Sequence, residues 1–499
     1  MSVIWLSFGA LFGLCVVHYA KKYFWDYWDM KGPSVFLSFP IIGHAWKLSP
    51  NPHKTMEDLK ATYGNLFRFD IGPYPSLVVA GFEEFQEICR MDVFNGRFFG
   101  ILPAVQTVFG TDSRGEVFGV SASNGQTWTE QRKFMHQNLN MAGMGKKSTL
   151  EDIINQEAEI AAERMASVAK NGTVQIKKFF PVAINNIVWR MITGITSSQD
   201  DPFMLYLTDR MNRHFESLSP SNITAILQQY FHRFTNILDK LNLPTCFKDL
   251  YIIRQFLDNE FKKIDPDPNG LYVAKFKAEI QAAASNPESS FHGTDGDFHL
   301  SGHAVDLFVA GTETTSTVLE WVIWYLIGHQ DMQERMYEEL DKVFGAHPPT
   351  LDRHDNLPFT QAFLLEVNRH SPMGLTSVPR FNSSAVTFRG IHIPKRTQIV
   401  PCLSTINRDP KHFTDPHKFD PKRFLDAQGQ FVRNDHVVIF GLGKRKCVGD
   451  VLAKAEIFLF VAQIVLRFKL TPATPISDEI ELGLAIRPSP YSITAVSRV

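Results

Sequence analysis

The chain has few cysteines for its length, and none of them belongs to a Cys-x-x-Cys pair. The five are scattered and odd in number: Cys15, Cys89, Cys246, Cys402 and Cys447. Disulfide frameworks and zinc sites need paired or clustered cysteines, so this pattern argues against both. It favours a reducing compartment, in which at most one or two of the cysteines take part in chemistry.

An excess of charge of one sign is also lacking, because 51 Lys and Arg residues balance 52 Asp and Glu residues. This balance predicts no nucleic-acid partner. No repeat, low-complexity segment or Pro/Gly/Ser-rich linker divides the 499 residues. With 44% hydrophobic residues the chain can bury a large core, and we expect one integrated folded body.

Basic residues are missing ahead of the apolar run Val3–Ala20, whereas Lys21 and Lys22 follow it directly. The run approaches the roughly 20 residues that span a hydrocarbon core. A cleaved secretory signal is the alternative, but it would begin with basic residues, and His18 would occupy the −3 position of a cleavage after Ala20. We therefore predict an uncleaved anchor, with the rest of the chain in the cytosol by the positive-inside tendency.

The predicted organisation is a membrane anchor over residues 1–20, a basic and Pro/Gly-rich connection over 21–43, and a folded body over 44–499. Helix-type periodicity dominates the middle of that body. Short strand-like stretches flank it. The fold class predicted is therefore mostly α with minor β. The stretches are helical at 150–168 and 306–326, and strand-like at 66–79, 385–393, 397–400 and 480–496.

The strongest motif is Phe440–Gly449, which fits Phe-x-x-Gly-x-Arg-x-Cys-x-Gly at every fixed position and precedes a helical run. Its glycines let a loop fold tightly against a flat cofactor, and Gly449 lets the backbone approach the sulfur closely. A cysteine just before a helix N-terminus is biased toward thiolate, the form that binds iron. Cys447 is therefore the candidate metal ligand, and Arg445 a candidate partner for an anionic group of the cofactor.

Two other interpretations of this loop are open. The first is a structural cysteine in a Gly-rich turn. The second is a phosphate-binding loop, but Lys444 is followed by Arg445 rather than Ser or Thr, and Gly441-x-Gly443 lacks the third glycine of a dinucleotide motif. Five fixed positions within ten residues favour the iron-binding interpretation.

On this motif the sequence resembles the cytochrome P-450 family, and in particular its animal microsomal members that metabolise drugs and steroids. The resemblance covers residues 31–499. It implies a large helical domain around heme b plus a small β-sheet region, with residues 44–499 as the heme-thiolate monooxygenase domain. Cys447 would then bind the iron, and Arg445 would pair with a heme propionate.

The segment Ala310–Thr315 reads Ala-Gly-Thr-Glu-Thr-Thr within a long apolar helix and is similar to the family's oxygen-activation motif. Small residues would let the helix pass close over the heme. The Thr314 hydroxyl can bond the Ala310 carbonyl one turn earlier and open the helix to water. Glu313 and Thr314 would then relay protons as a catalytic acid and alcohol pair. Without the other motifs, a Thr-rich helix would be an equal interpretation.

Glu366 and Arg369 are spaced i, i+3 and thus share a helix face. Alone this spacing is as typical of a surface ion pair. Downstream, however, Phe419–Phe424 resembles the family segment whose arginine, here Arg423, completes a buried Glu-Arg-Arg cluster. Its implied role is structural.

Trp128 and Arg132 in one segment, and Arg380 in another, stand in the order and register of family residues that contact heme propionates. Each would otherwise be an ordinary core or surface residue. The residues implied around the heme are Trp128, Arg132, Ala310, Arg380, Phe440, Arg445, Cys447 and Gly449.

The implied reaction inserts one atom of O2 into a lipophilic small molecule, by hydroxylation or epoxidation. Neither a dinucleotide fingerprint nor room for a flavin module is present, so electrons would come from a separate NADPH-cytochrome P-450 reductase, with cytochrome b5 as a second candidate donor. A basic docking face could include Lys444, Lys446, Arg132 and Lys133, although a solvated charge run is an equal interpretation. The expected location is the endoplasmic reticulum membrane, with the catalytic domain facing the cytosol.

The substrate stays open among steroids, fatty acids, terpenoids and foreign lipophiles. The resemblance places the pocket at apolar segments that any helical core could also contain. These segments are 98–118, 203–215, Asp306 with Ala310, 375–378 and 484–486. Two other functions stay open: a heme-thiolate isomerase or dehydratase, in which the acid and alcohol motif is commonly altered, and a non-catalytic heme or lipid sensor.

Overall fold

The computed structural model describes residues 13, 16, 17, 30, 32–35, 38, 39, 42–48 and 50–498, apart from 73, 103, 104, 107, 108, 142–148, 219–227 and 229–247. The predicted anchor over residues 1–20 thus lies almost entirely outside the described residues. Within the part that is described, no helix has the length and apolar character needed to cross a membrane.

Helices make up most of the described chain. In chain order they are α1 (Pro52–Tyr63), α2 (Phe82–Arg90), α3 (Gly125–Met141), α4 (Thr149–Ala169), α5 (Pro181–Thr193), α6 (Pro202–Ser217), α7 (Lys248–Phe261), α8 (Tyr272–Ala282), α9 (Gly293–Gly328), α10 (Gln330–Phe344), α11 (Pro358–His370), α12 (Leu403–Ile406) and α13 (Asp450–Arg467). The prediction of a mostly α fold with minor β is confirmed.

The strands are short. They are β1 (Leu66–Arg68), β2 (Ser76–Val79), β3 (Gly96–Arg97), β4 (Val174–Gln175), β5 (Arg380–Phe381), β6 (Val386–Phe388), β7 (Ile391–Ile393), β8 (Gln398–Pro401), β9 (Phe468–Pro472), β10 (Ile480–Glu481), β11 (Arg487–Pro488) and β12 (Ser492–Ser497). The largest sheet has the order β1-β2-β8-β5-β3 and is antiparallel except between β2 and β8. A three-stranded sheet, β4-β12-β9, and the pairs β6-β7 and β10-β11 complete the β structure.

The large sheet carries apolar side chains on both faces. Every residue of β2 is buried, with Leu77 and Val79 in one hydrophobic cluster and Val78 in another. Because successive strand residues point to opposite faces, this sheet is a buried layer. Its far edge positions the paired strands β3 and β5, which belong to the candidate site.

The helix α9 forms the centre of the helical core and packs against α5, α7 and α13. It begins at Gly293, well before the predicted residue 306. Because glycine lowers helix propensity, the sequence did not indicate that the glycine-containing start of this segment is helical. At Gly302 the glycine is required by packing, because a Cβ there would lie 2.5 Å from the Gly119 amide nitrogen in the crossing loop.

A buried carboxyl group joins α9 to α13. Glu456 accepts a hydrogen bond from the Thr315 hydroxyl at 3.1 Å, and its other oxygen has no partner among the described residues. Burial raises the pKa of Glu456 to about 8, against its usual 4.5, while the bond to Thr315 lowers the pKa. At neutral pH Glu456 is therefore protonated.

This group should make stability fall as pH rises. Because its folded-state pKa lies above the unfolded value, the folded chain keeps a proton that the unfolded chain releases between about pH 4.5 and 8. One retained proton lowers the free energy of unfolding by up to about 1.4 kcal/mol per pH unit in that window. Glu456→Gln should flatten the dependence measured by urea unfolding, whereas the exposed control Glu163→Gln should not. Parallel curves for wild type and Glu456→Gln would contradict this prediction.

Candidate functional site

The segment Phe440–Gly449 forms a tight loop that ends where α13 begins. The Cys447 amide donates to the Phe440 carbonyl oxygen at 2.8 Å. Gly443 has a φ of +68°, in the left-handed region that glycine adopts without penalty. A Cβ at Gly443 would also lie 2.5 Å from the Cys89 carbonyl oxygen. The closed loop therefore depends on glycine, as the motif predicts.

The Cys447 thiol lies just before Gly449, the N-cap of α13. Its side chain is accessible to solvent but surrounded by protein atoms, as in a recess. Burial is the largest influence and raises the pKa of the thiol. The Gly449 N–H and the charges of Arg132 and Lys446 lower the pKa, while Asp450 raises it. The net direction is opposite to that expected from the helix N-terminus alone, so the thiolate needs a cation at the sulfur, such as iron.

Arg445 fixes the loop to the segment before α3. Its Nε donates to the Asn95 carbonyl at 2.8 Å and its Nη2 to the Ser123 carbonyl at 2.9 Å. The guanidinium lies 3.8 Å from the centre of the Trp128 ring. Arg445 Nη1 and Trp128 Nε1 are buried without a hydrogen-bond partner among the described residues. These two donors remain for a ligand.

A second pair of cations lies at the edge of the large sheet. Strands β3 and β5 place Arg97 directly opposite Arg380, an arrangement that is destabilising for like charges. Arg97 donates to the Val378 carbonyl and Arg380 to the Leu442 carbonyl, each at 2.9 Å. The Nε of Arg97 and the Nε and Nη1 of Arg380 are buried without a partner in the described part of the chain. Arg97 was not predicted, since it belongs to no motif and only the strand register brings it here.

The charges of these residues are mutually unfavourable. Burial, followed by Arg97, Arg132 and Arg380, lowers the pKa of Arg445 to about 7. Burial, followed by Arg380 and Arg132, lowers that of Arg97 to about 9. Buried cations with unused donors need an anionic partner. The two propionates of heme b meet this need, and the residues present therefore fit that group.

On α9, the Thr314 hydroxyl donates to the Ala310 carbonyl at 2.6 Å, which is the bond predicted from the helix period. Ala310 is exposed, although most of α9 around it is buried. The helix therefore presents an open surface at this turn. Gly311 is not sterically required, because a Cβ there would meet only Val188, at an ordinary 3.5 Å.

Glu313 has a partner that the sequence did not predict. Its Oε1 accepts a hydrogen bond from Arg487 Nε at 3.0 Å, and Arg487 Nη1 donates to Glu320 at 2.7 Å. Burial raises the pKa of Glu313, and Arg487 lowers it. The acid of the predicted acid and alcohol pair is thus one member of a buried ionic cluster.

Among the predicted pocket residues, Asp306 has a structural task. Its carboxylate accepts the Val120 amide at 2.6 Å and the Ser121 amide at 3.0 Å, which fixes the loop that crosses α9. Val378 and Leu484, in two other predicted pocket segments, are 45% and 50% exposed. Single exposed apolar side chains are common on protein surfaces, so these two do not by themselves define a ligand pocket.

The Glu366, Arg369 and Arg423 cluster forms as the resemblance implies. Arg369 binds Glu366 through two hydrogen bonds of 2.7 and 2.8 Å, and Arg423 Nε donates to the same carboxylate at 3.1 Å. Arg369 Nη1 also donates to the Asn407 and Pro416 carbonyls. These contacts tie α11 to the irregular segment ahead of the Cys447 loop.

The predicted basic face around the loop is partly neutralised. Lys444 pairs with Asp92 at 2.7 Å and Lys446 with Asp450 at 2.6 Å, and all but Asp450 of these side chains are largely exposed. Lys133 is exposed. The face is therefore less basic than its sequence indicates.

A cysteine loop, buried cationic donors and an open turn of α9 together define a site for a flat, anionic prosthetic group. Residues 33–495 match the family model described as Cytochrome P450, and the chain belongs to this family. Members bind heme, and the protein is a heme-dependent monooxygenase, an oxidoreductase that uses molecular oxygen.

Several relatives align over almost the whole chain. Cytochrome P450 2H1 of Gallus gallus is 32% identical over 473 residues, covering 92% of each chain. Cytochrome P450 2D26 of Rattus norvegicus is 31% identical over 508 residues, covering 98% of this chain and 97% of its own. Cytochrome P450 2B4 of Oryctolagus cuniculus is 30% identical over 483 residues, covering 94% of each.

Proposed function

We propose that this chain hydroxylates or epoxidises a lipophilic small molecule, using heme b bound through Cys447. The observation that carries the proposal is the hydrogen bond from the Thr314 hydroxyl to the Ala310 carbonyl on α9, next to the acid Glu313 of the same motif. A heme-thiolate isomerase or dehydratase has no need of protons from such a pair. No contact of the described residues favours that alternative or a sensor.

Each residue has a distinct proposed task. Heme, when bound, would supply the binding and activation of dioxygen. Cys447 would hold the iron, and the unpartnered donors of Trp128, Arg380 and Arg445 would bind the propionates. Phe440 would close the loop through its carbonyl, and Gly449 would direct its N–H toward the sulfur.

On the other side of the site, Ala310 would leave space for dioxygen. The Thr314 hydroxyl would hold a proton-donating group in place, and Glu313 would supply the proton from its carboxyl. Arg132 donates to the Lys446 carbonyl and would stabilise the loop and the propionates together.

We further propose that the electrons come from NADPH-cytochrome P-450 reductase, with cytochrome b5 as a second donor. The exposed Lys133 supports a docking face near the Cys447 loop, to which Lys444 and Lys446 contribute less charge because they pair with Asp92 and Asp450. The apolar run Val3–Ala20 and the two lysines after it support an anchor in the endoplasmic reticulum membrane, with residues 44–499 in the cytosol.

Thr314→Ala should uncouple electron transfer from product formation. Removing the hydroxyl that positions the proton should lower product per NADPH at least about tenfold and raise the peroxide released. Membranes containing the protein and reductase would be supplied with NADPH and a lipophile panel of testosterone, lauric acid, limonene and naphthalene. Oxygen addition would be measured by mass spectrometry.

Thr314→Ser should restore most of the coupling. Thr312→Val is the matched control, because the Thr312 hydroxyl bonds Asn185 instead. Unchanged coupling in Thr314→Ala would contradict the proton role. An absence of NADPH-dependent product from wild type with every lipophile would contradict the proposed function.

A further inference from the structure

Two buried carboxylates share one arginine, and one of them, Glu313, directly precedes Thr314 in the chain. Arg487 Nε donates to Glu313 Oε1 at 3.0 Å, and its Nη1 donates to Glu320 Oε1 at 2.7 Å. The side chains of Arg487, Glu313 and Glu320 are 5%, 3% and 2% exposed. With both acids ionised, the cluster would carry an uncompensated negative charge in a dry environment. Such a charge is costly, so the cluster favours an additional proton.

The hydrogen bonds of this cluster are incomplete. Glu313 Oε2 is buried without a hydrogen-bond partner among the described residues, whereas Arg487 Nη2 is in ion-pair contact with Glu313 Oε1. In the Glu366 cluster, by contrast, every guanidinium nitrogen of Arg369 donates a hydrogen bond. A purely structural ion cluster is normally satisfied. The open carboxylate oxygen of Glu313 is thus available to carry a proton.

The pKa values of both acids are raised. Burial raises the pKa of Glu320 to about 7, and Arg487 and the Lys178 amide lower it, while Glu313 and Glu481 raise it. Burial likewise raises the pKa of Glu313. Because the two sites interact through one guanidinium, the proton belongs to the pair rather than to either acid.

The cluster reaches the protein surface beside Glu320. The Lys178 amide donates to Glu320 Oε1 at 3.0 Å, and the Lys178 ammonium pairs with Glu216 at 2.9 Å. The Lys178 and Glu216 side chains are 37% and 48% exposed. Lys178 has a φ of +61°, an unusual conformation for a residue with a side chain. It turns the backbone so that both contacts form at one residue.

We propose that Glu320 and Arg487 are positioning residues that keep one exchangeable proton on the Glu313 and Glu320 pair, and so keep Glu313 able to donate. The inference rests on the proposed monooxygenase function. That reaction converts a substrate, O2, two electrons and two protons into a hydroxylated product and water, so protons must be replaced in every cycle. Arg487 holds Oε1 of Glu313 and leaves Oε2 for the transferred proton, and the second carboxylate, Glu320, raises the proton affinity of the pair so that the proton is replaced from solvent after each cycle.

The test is the pH dependence of coupling, using the panel lipophile that is oxidised fastest. In wild type, product per NADPH should fall as pH rises through about 7, because the Glu313 and Glu320 pair then loses its proton. Glu320→Gln should remove this inflection, lower product per NADPH about fivefold at neutral pH and raise the solvent deuterium isotope effect. The other charged groups near the acids are Lys177, Lys178, Glu216 and Glu481, and Tyr491 is a neutral titratable group beside them. None of these residues changes in this variant.

Glu157→Gln is the matched control, since Glu157 is also a buried acid, bonded to Gln199 and Asn186 away from this cluster. It should keep the wild-type profile. A wild-type profile without an inflection, or an inflection that persists in Glu320→Gln, would overturn the inference. If wild type forms no NADPH-dependent product with any lipophile of the panel, the proposed function is overturned instead.

Arg487→Lys gives a second test if Glu320→Gln does not fold. Lysine keeps the positive charge but cannot bridge two carboxylates as a planar guanidinium does. The carbon monoxide spectrum of the reduced variant would report whether the heme site is intact. With that spectrum unchanged, coupling should fall and the inflection should move. Coupling and inflection equal to wild type would contradict the role of Arg487.

Discussion

Cys447→Ser is expected to abolish product formation. Serine has no sulfur, and its hydroxyl ionises far less readily than a thiol. The variant would therefore not provide an anionic ligand to the iron. We expect the rate of oxygen insertion to fall at least about a thousandfold, which corresponds to about 4 kcal/mol in the activation free energy. The measurement is the NADPH-dependent oxidation of the lipophile panel, followed by mass spectrometry.

Cys402→Ser is the matched control. Cys402 is fully buried, and its sulfur contacts the Leu375 carbonyl and the Ser404 hydroxyl, so serine can keep similar hydrogen bonds. This variant should retain activity. Substantial turnover by Cys447→Ser would show that the proposed ligand is wrong.

Arg369→Met should prevent stable folding or come close to it. The change leaves Glu366 buried with only Arg423 as a charged partner and removes the bonds to the Asn407 and Pro416 carbonyls. Breaking a buried pair by removing one partner costs about 3 to 5 kcal/mol, a large share of the roughly 5 to 15 kcal/mol that stabilises a typical protein. Urea unfolding, followed by circular dichroism, would measure the loss.

Arg498→Met provides the comparison for this variant. Arg498 pairs with Glu334 at 2.9 Å, but the Glu334 side chain is 40% exposed. Partly exposed pairs contribute about 1 kcal/mol or less. A loss for Arg369→Met no larger than that for Arg498→Met would contradict the structural role of the cluster.

Local periodicity was sufficient for part of the site. The Thr314 to Ala310 bond follows from a spacing of four residues on a helix, and the Glu366 to Arg369 pair follows from a spacing of three. Both are contacts within one element. They require only that the segment is helical, which the apolar pattern indicates.

Contacts between distant segments were not predictable in the same way. Arg97 faces Arg380 because β3 pairs with β5, and Arg487 reaches Glu313 from a strand near the C-terminus. No local pattern encodes these pairings. For the same reason, the adjacency of Glu313 and Thr314 in sequence did not reveal that Glu313 shares Arg487 with Glu320.

The Cys447 thiol shows how one correct local effect can be outweighed. The amide at the start of α13 lowers the pKa of the thiol, as the sequence indicates, but burial raises it more strongly. Burial depends on how α9, α13 and the loop segments pack together. A sequence motif identifies the cysteine, whereas its electrostatic environment needs the fold.

The most direct test of the account is the absorption spectrum of the reduced, heme-loaded protein under carbon monoxide. A thiolate ligand gives a red-shifted Soret band, so wild type should show that band and Cys447→Ser should lose it while Cys402→Ser keeps it. Wild-type protein that binds heme without the red-shifted band, or a band that persists in Cys447→Ser, would contradict iron ligation by Cys447.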